Sequence, residues 1–371
     1  MIVKLADNTI PSGAAFADVA AAVNEGGGWL RFDCYLDIVQ HGANGYYGGG
    51  RVSFGGDFIT APMVSPLFGA ALCRQIGQIL HHCGGGGKSG GGGILELGAG
   101  DGALARQILG AFDCAYTIVE TSPALRERQR QNLAGFSVSW REELPRQFTG
   151  AIIANEVLDS VPFRLLRRKD GKWRELGIVI DGGHLAFAAR PMIDDADAKN
   201  LPPDMPDGYQ TEISPRAERL VRRAAETLQC GAAVFLDYGF GAGEYYHRQR
   251  SGGTMMCHHR HLADDNPLKM PGEKDITSHI DFSAMAAAAM DGGADVLGYA
   301  TQAGFLIDCG ITEMLAARSD GGAPLPNAKL SAGVQKLLSP SGMGEFIKVL
   351  AFGRKMPPLT GFGDNDRRHR L

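Results

Sequence analysis

Residues 93–109, Gly-Ile-Leu-Glu-Leu-Gly-Ala-Gly-Asp-Gly-Ala-Leu-Ala-Arg-Gln-Ile-Leu, open as a short apolar run, break into glycines and resume at helical spacing. Ile94, Leu95 and Leu97 predict a buried strand. Leu104, Ile108 and Leu109 recur at the three-to-four residue interval of an amphipathic helix. Between them, Gly98, Gly100 and Gly102 form a turn whose backbone can take angles and close approaches that a Cβ forbids. Strand, glycine turn and helix in this order make a cradle in which a flat, nucleotide-type ligand lies against the main chain.

The dinucleotide fingerprint G-x-G-x-x-G and the phosphate loop G-x-x-x-x-G-K-[ST] are both absent from this stretch. With Glu96 two residues before Gly98, the form is E-x-G-x-G, which is similar to the first motif of class I S-adenosylmethionine (SAM) methyltransferases. In those proteins the loop backs the methionine and ribose portion of a cofactor without phosphate. Tyr116-Thr-Ile-Val-Glu120 then predicts a second buried strand ending in an acid, about 20 residues after the glycines, where a carboxylate can accept both ribose hydroxyls. Ser122-Pro123 starts the next helix, Ser as N-cap and Pro at its first position. Glu96, Gly98, Gly100, Asp101, Gly102 and Glu120 are therefore expected to hold SAM.

The 371 residues are 44% hydrophobic, enough for a full core, and carry a net charge of −4, so no global basic field recruits nucleic acid or an anionic membrane. The 7 cysteines are scattered, without a C-x-x-C pair, and fit a reducing compartment. No secretory signal is evident and no apolar run approaches the roughly 18 residues of a membrane span, so a cytoplasmic location is expected.

Along the chain, Phe16–Val23 predicts a helix. Gly45-Tyr-Tyr-Gly48 and the run from Phe54 to Gly69 then mass aromatics, glycines and prolines in the manner of an ordered binding loop. Ser65-Pro66 opens a helix reaching Leu80. Residues 84–93 are glycine apart from Lys88 and Ser89; a phosphate loop there would need glycine where His82 stands. This tract is expected to be a flexible connector between an N-terminal helical and loop lobe, residues 1–83, and a core spanning 94–353.

Gly150–Phe163 predicts a buried strand whose carboxyl end presents Asn155, Glu156 and Asp159. In doubly wound sheets those ends form the ligand rim. The amide is suited to the amino acid part of the cofactor and the carboxylates to a cationic acceptor. Phe163–Lys169, Lys172–Ile180 and Leu185–Ala189, joined at Asp170-Gly171 and Asp181-Gly-Gly183, predict an antiparallel insertion over 163–190. A helix capped at Ser214-Pro215 follows, then a strand, Ala232–Gly239, ending in Asp237 and Tyr238 at the same rim. Residues 240–280 are expected to form a second insertion, a long polar loop acting as lid or acceptor-binding segment. It holds His247, His258, His259, His261 and His279, half of the 10 histidines, but Cys257 stands alone beside them and the spacing does not make a zinc site. Gly344–Phe352 predicts the last, antiparallel strand, and 354–371 a flexible tail.

Taken in order, Gly56-Asp-Phe-Ile-Thr-Ala-Pro62, Asn155-Glu-Val-Leu-Asp159, Asp237-Tyr-Gly239, Glu244-Tyr-Tyr-His247 and Pro271-Gly-Glu-Lys-Asp-Ile-Thr-Ser-His-Ile-Asp-Phe282 resemble the MidA family of SAM-dependent methyltransferases. The resemblance runs from residue 13 to 353. It implies an α/β, Rossmann-like SAM-methyltransferase sheet with an N-terminal helical lobe and an antiparallel β insertion. It adds Asp57, Phe58, Thr60 and Pro62 to the cofactor site. Because the family includes a mitochondrial complex I assembly factor that methylates protein arginine, it also implies a protein acceptor, a respiratory complex I subunit among the candidates. The sequence departs from the family pattern at Met63, where Glu is expected, and at His259 and Leu262; these departures bear on the acceptor.

The chemistry expected is in-line transfer of the sulfonium methyl to a positioned nucleophile. An arginine acceptor is protonated, its pKa above about 12, so carboxylates must orient it and draw off a proton. Glu156, Asp159 and Asp237 are the candidates, with His279 as a further proton acceptor. A small-molecule O- or N-methyltransferase would share the cofactor half, and a SAM-binding assembly factor would need no turnover.

Overall fold

The computed structural model describes residues 2–3, 13–52, 59–84, 86–87, 90–192, 200–260, 262–319 and 324–371; Asp57, Phe58 and His261 lie outside them. The chain divides into two compact units. One comprises 1–58, 159–217 and 242–281, the other 59–158, 218–241 and 282–371.

The second of these is built on a sheet of Gly93–Leu97 (β1), Tyr116–Val119 (β2), Val138–Arg141 (β3), Phe148–Asn155 (β4), Leu228–Phe240 (β5), Asp295–Thr301 (β6) and Ile347–Arg354 (β7). These strands lie in the order β3-β2-β1-β4-β5-β7-β6. β1 to β5 run parallel, and β7 is antiparallel between β5 and β6. The order reverses between β1 and β4, which makes the carboxyl end of β1 the place where such sheets open a ligand crevice.

Helices Pro66–His82 (α1), Ala103–Leu109 (α2) and Pro123–Asn132 (α3) belong to this unit. α1 and α3 begin as their sequences predict: the Ser65 hydroxyl accepts from the Leu67 N–H and that of Ser122 from the Leu125 N–H, each at 3.3 Å. Leu72, Ile76 and Ile79 of α1 join Ile94, Ile118, Ile153 and Val234 in one core. Each such side chain, once buried, contributes roughly 1.5–3 kcal/mol, which is why the parallel strands read as uninterrupted apolar runs.

The other unit carries the antiparallel sheet. Arg164–Lys169, Lys172–Asp181 and His184–Pro191 form its meander, turning at Asp170 and Gly171 (φ 51° and 67°) and at Gly182 and Gly183 (φ 58° and 84°). Gln210–Ile213 adds to one edge, Ile2–Val3 to the other, and Leu30–Arg31 pairs with the middle strand. Phe32, Tyr35, Phe163, Leu165, Leu176 and Ile178 fill its core. Arg164 is buried beside Glu175 in a two-pronged pair at 2.6 and 2.8 Å; the planar guanidinium matches a carboxylate in this way where lysine could not.

Several boundaries differ from the sequence expectation. The 1–83 lobe is split at residue 58, and the insertion that begins at Asp159 runs on to Ala217. Gly86–Gly87 and Gly90–Gly91 of the glycine tract pair as a small antiparallel ladder. The segment from 240 to 280 contains a three-stranded sheet of Met256–His259, Leu262–Asp264 and Asp275–Thr277, so it is not structureless.

The 354–371 tail is packed as well. Phe362 is 7% exposed and lies 5.3 Å from the Phe305 ring, while the Gly361 N–H donates to Gln75 Oε1 at 2.8 Å. Gly361 is required there, since a Cβ would run into the Phe305 ring. Among the described residues no helix is long and apolar enough to cross a membrane.

Candidate active site

The apolar residues of β1 carry the chain into the sheet and its glycines stop it. Gly98, Gly100 and Gly102 have φ of 58°, 56° and 87°, the left-handed region in which a side chain is strained. At Gly98 a Cβ would also press on Val157 at 3.0 Å. The turn is held by Gly98 N–H to the Val119 carbonyl at 2.9 Å and Gly102 N–H to that of Ala99 at 2.8 Å. Asp101 Oδ1 accepts from the Ala103 N–H at 3.0 Å, which fixes the entry to α2.

Glu96, 2% exposed, accepts a hydrogen bond from the Tyr116 hydroxyl at 2.6 Å. Burial pushes its carboxyl up to about 7; the Tyr116 hydroxyl opposes the rise, and the Asp101 and Glu120 charges add to it. Glu96 therefore braces the two strands from inside the sheet.

Glu120 follows β2 and is 6% exposed. Its Oε1 accepts from the Ser122 N–H at 2.9 Å and its Oε2 from Gln129 Nε2 at 3.0 Å. Burial raises its pKa above the ordinary value, while these donors and the Arg126 charge hold the rise back.

Asn155 ends β4, and Glu156 after it has φ 54°, uncommon for a residue with a side chain and characteristic of functional sites. Glu156 Oε1 accepts from the Ala61 N–H and from Asn155 Nδ2, each at 3.2 Å. The Thr60-Ala61-Pro62 run is tied down at a second point by Gln107, whose amide donates to the Pro62 carbonyl at 2.8 Å. Asn155 Oδ1 is buried and has no partner among the described residues. An orphaned acceptor of this kind costs about 1–3 kcal/mol unless a ligand donor meets it.

Asp237, 1% exposed on β5, accepts from the Val157, Leu158 and Tyr238 N–H groups at 2.9, 2.7 and 2.9 Å. Two of these donors, Val157 and Leu158, belong to the loop after β4, and Asp237 clamps that loop. That geometry suits holding better than the proton transfer expected of it.

Asp159 and His279 belong to the other unit. The Asp159 carbonyl accepts from the Ser278 N–H at 3.1 Å, and the His279 N–H donates to Thr254 Oγ1 at 3.0 Å. The same unit gathers residues that the sequence left unassigned. Tyr47 donates to Asp275 Oδ1 at 2.8 Å and its ring stacks on His41 at 5.6 Å. Burial, then the Asp275 and Asp159 charges, drive the Tyr47 hydroxyl well above its ordinary pKa. Gln40 holds the Asp275 strand through both backbone groups of Ile276, at 2.5 and 3.2 Å. In the sequence this cluster is represented by the doubled aromatics of Gly45–Gly48 and by the Pro271–Phe282 motif that holds Asp275, without a sign that the two meet.

The left-handed glycine turn, the buried acid after β2 and the orphaned amide at the end of β4 are the kinds of group a SAM site asks for: Asn155 could hold the amino acid end and Glu120 the ribose diol. Sheet order and site together define a class I SAM-dependent methyltransferase. The model of a family of S-adenosyl-L-methionine-dependent methyltransferases matches residues 71–300, and the chain belongs to that family, the MidA-like methyltransferases.

A crystal structure from Burkholderia thailandensis bound to S-adenosyl-homocysteine is 38% identical, with a TM-score of 0.89 over 98% of this chain and 100% of that one. The curated relatives include the protein arginine methyltransferase NDUFAF7 of Xenopus tropicalis, 28% identical over 83% of this chain and 79% of its own length. That of Mus musculus is 28% identical over 85% and 78%. The protein is thus a methyltransferase with SAM as cofactor.

Proposed function

We propose that this methyltransferase modifies arginine in a protein acceptor. The observation that carries the proposal is Glu156, a carboxylate held at the carboxyl end of β4 in left-handed backbone by Ala61 and Asn155. The names of the curated relatives agree with it. SAM, when bound, supplies an electrophilic sulfonium methyl. The chain's task is then to orient a protonated guanidinium, polarise one nitrogen and accept its proton. Glu156 is assigned the orienting role; Asp159 and His279, the other candidates for pairing the charge and taking the proton, belong to the other compact unit. Asp237 keeps the loop between β4 and Asp159 in place. Aligning two reactants can lower a barrier by roughly 7–11 kcal/mol, so positioning carries most of the catalysis. A cytoplasmic setting and a respiratory-complex subunit as acceptor belong to the same proposal.

Met63, 38% exposed where the family pattern has Glu, and Ile59, 43% exposed, favour a second reading, a small acceptor with an apolar body. Proteome-wide mass spectrometry of methylarginine in cells with and without the protein separates the two. Arginine sites lost with the protein support the first; an unchanged proteome with a methylated metabolite missing supports the second.

A further inference from the structure

Gln129 lies on α3 and is fully buried, on a helix that sends arginines and glutamate to solvent. A leucine would fill that position if packing were the only demand, because burying an amide costs unless its bonds are made. Three are made. Nε2 donates to the Gly100 carbonyl and to Glu120 Oε2, each at 3.0 Å, and Oε1 accepts from Trp140 Nε1 at 3.0 Å. Turning the amide over would set its oxygen against a carbonyl and a carboxylate and its NH2 against the indole N–H, so one orientation is dictated by chemistry. The carbonyl of the glycine turn and the indole of β3 thereby aim an N–H at the acid after β2. The charged groups that bear on this acid are Arg126, one turn earlier on α3, and Glu96 on β1.

We infer that Gln129 is a positioning residue for the cofactor's ribose: it sets the Glu120 carboxylate towards the diol, and Trp140 locks the amide that does so. This rests on Glu120 as the ribose-binding acid.

The test is calorimetric titration of wild type, Gln129→Met and Trp140→Phe with two probes, S-adenosylhomocysteine and its 2′,3′-dideoxyribose analogue. Wild type should prefer S-adenosylhomocysteine. Gln129→Met should weaken it about tenfold, the loss of one hydrogen bond to a charged group, and the analogue by less than about twofold. Trp140→Phe keeps a ring but frees the amide to turn, and should show the same split at about threefold; it carries the test alone if Gln129→Met does not fold. An equal loss for both probes would mean that the amide only supports the turn, and an unchanged affinity for S-adenosylhomocysteine would mean that it does nothing for the ribose. Either overturns the inference. A wild type that binds both probes equally instead overturns the assignment of Glu120, a separate and visible failure.

Discussion

The glycine turn and the buried acid after β2, the residues proposed to hold the cofactor, were legible because their chemistry restricts residue type. A left-handed turn asks for glycine and a diol for an acid, so Gly98, Gly100, Gly102 and Glu120 announce themselves, whereas Gln129, Tyr47 and Asp275 do not. Tyr47 and Asp275 are 228 positions apart, and no local pattern joins them. Asp237 was visible as a rim acid, but the Val157 and Leu158 N–H groups that it binds lie in another strand's loop. Gly100→Val would force a branched side chain into φ 56°, and the folded variant should lose SAM binding by calorimetry. Glu120→Ala should weaken S-adenosylhomocysteine by about 1–3 kcal/mol, the range for hydrogen bonds to a charged group. Glu96 gives a pH dependence. Its folded pKa of about 7 lies above the ordinary 4.5, so the stability it contributes is whole below the lower value and lost as pH rises through the upper one. Glu96→Gln should flatten that loss, as urea midpoints at about pH 5 and pH 8 would reveal.

Periodicity carried the elements. Buried apolar runs gave the parallel strands, alternation with Asp-Gly turns gave the meander, and Ser-Pro pairs gave the starts of α1 and α3. What stayed hidden depends on packing between distant segments. The tail was read as flexible because its end, from Asp364 on, is charged, yet the Phe362 ring fills a place in the core beside Phe305 and the Gly361 N–H satisfies Gln75. Phe362→Ala should therefore cost about 3 kcal/mol, near the lower end for emptying an aromatic site, as a lowered denaturant midpoint. The glycine tract and the 240–280 segment lack side-chain alternation, and their short ladders are fixed by backbone pairing, which leaves little trace in the sequence.

At the scale of the molecule, sheet order, glycine turn and family agree on SAM-dependent methyl transfer, and the acceptor is the part that the sequence narrows least. The arginine proposal turns on Glu156, because exchanging its charge for an amide alters the grip on a guanidinium while keeping size. The decisive measurement is single-turnover transfer of labelled methyl from SAM into protein arginine by wild type and Glu156→Gln, with S-adenosylhomocysteine affinity taken on the same preparations. Label should enter arginine with wild type and fall about 10²-fold in the variant, the affinity staying within about threefold. Wild-type turnover by Glu156→Gln, or label confined to small molecules, would contradict it.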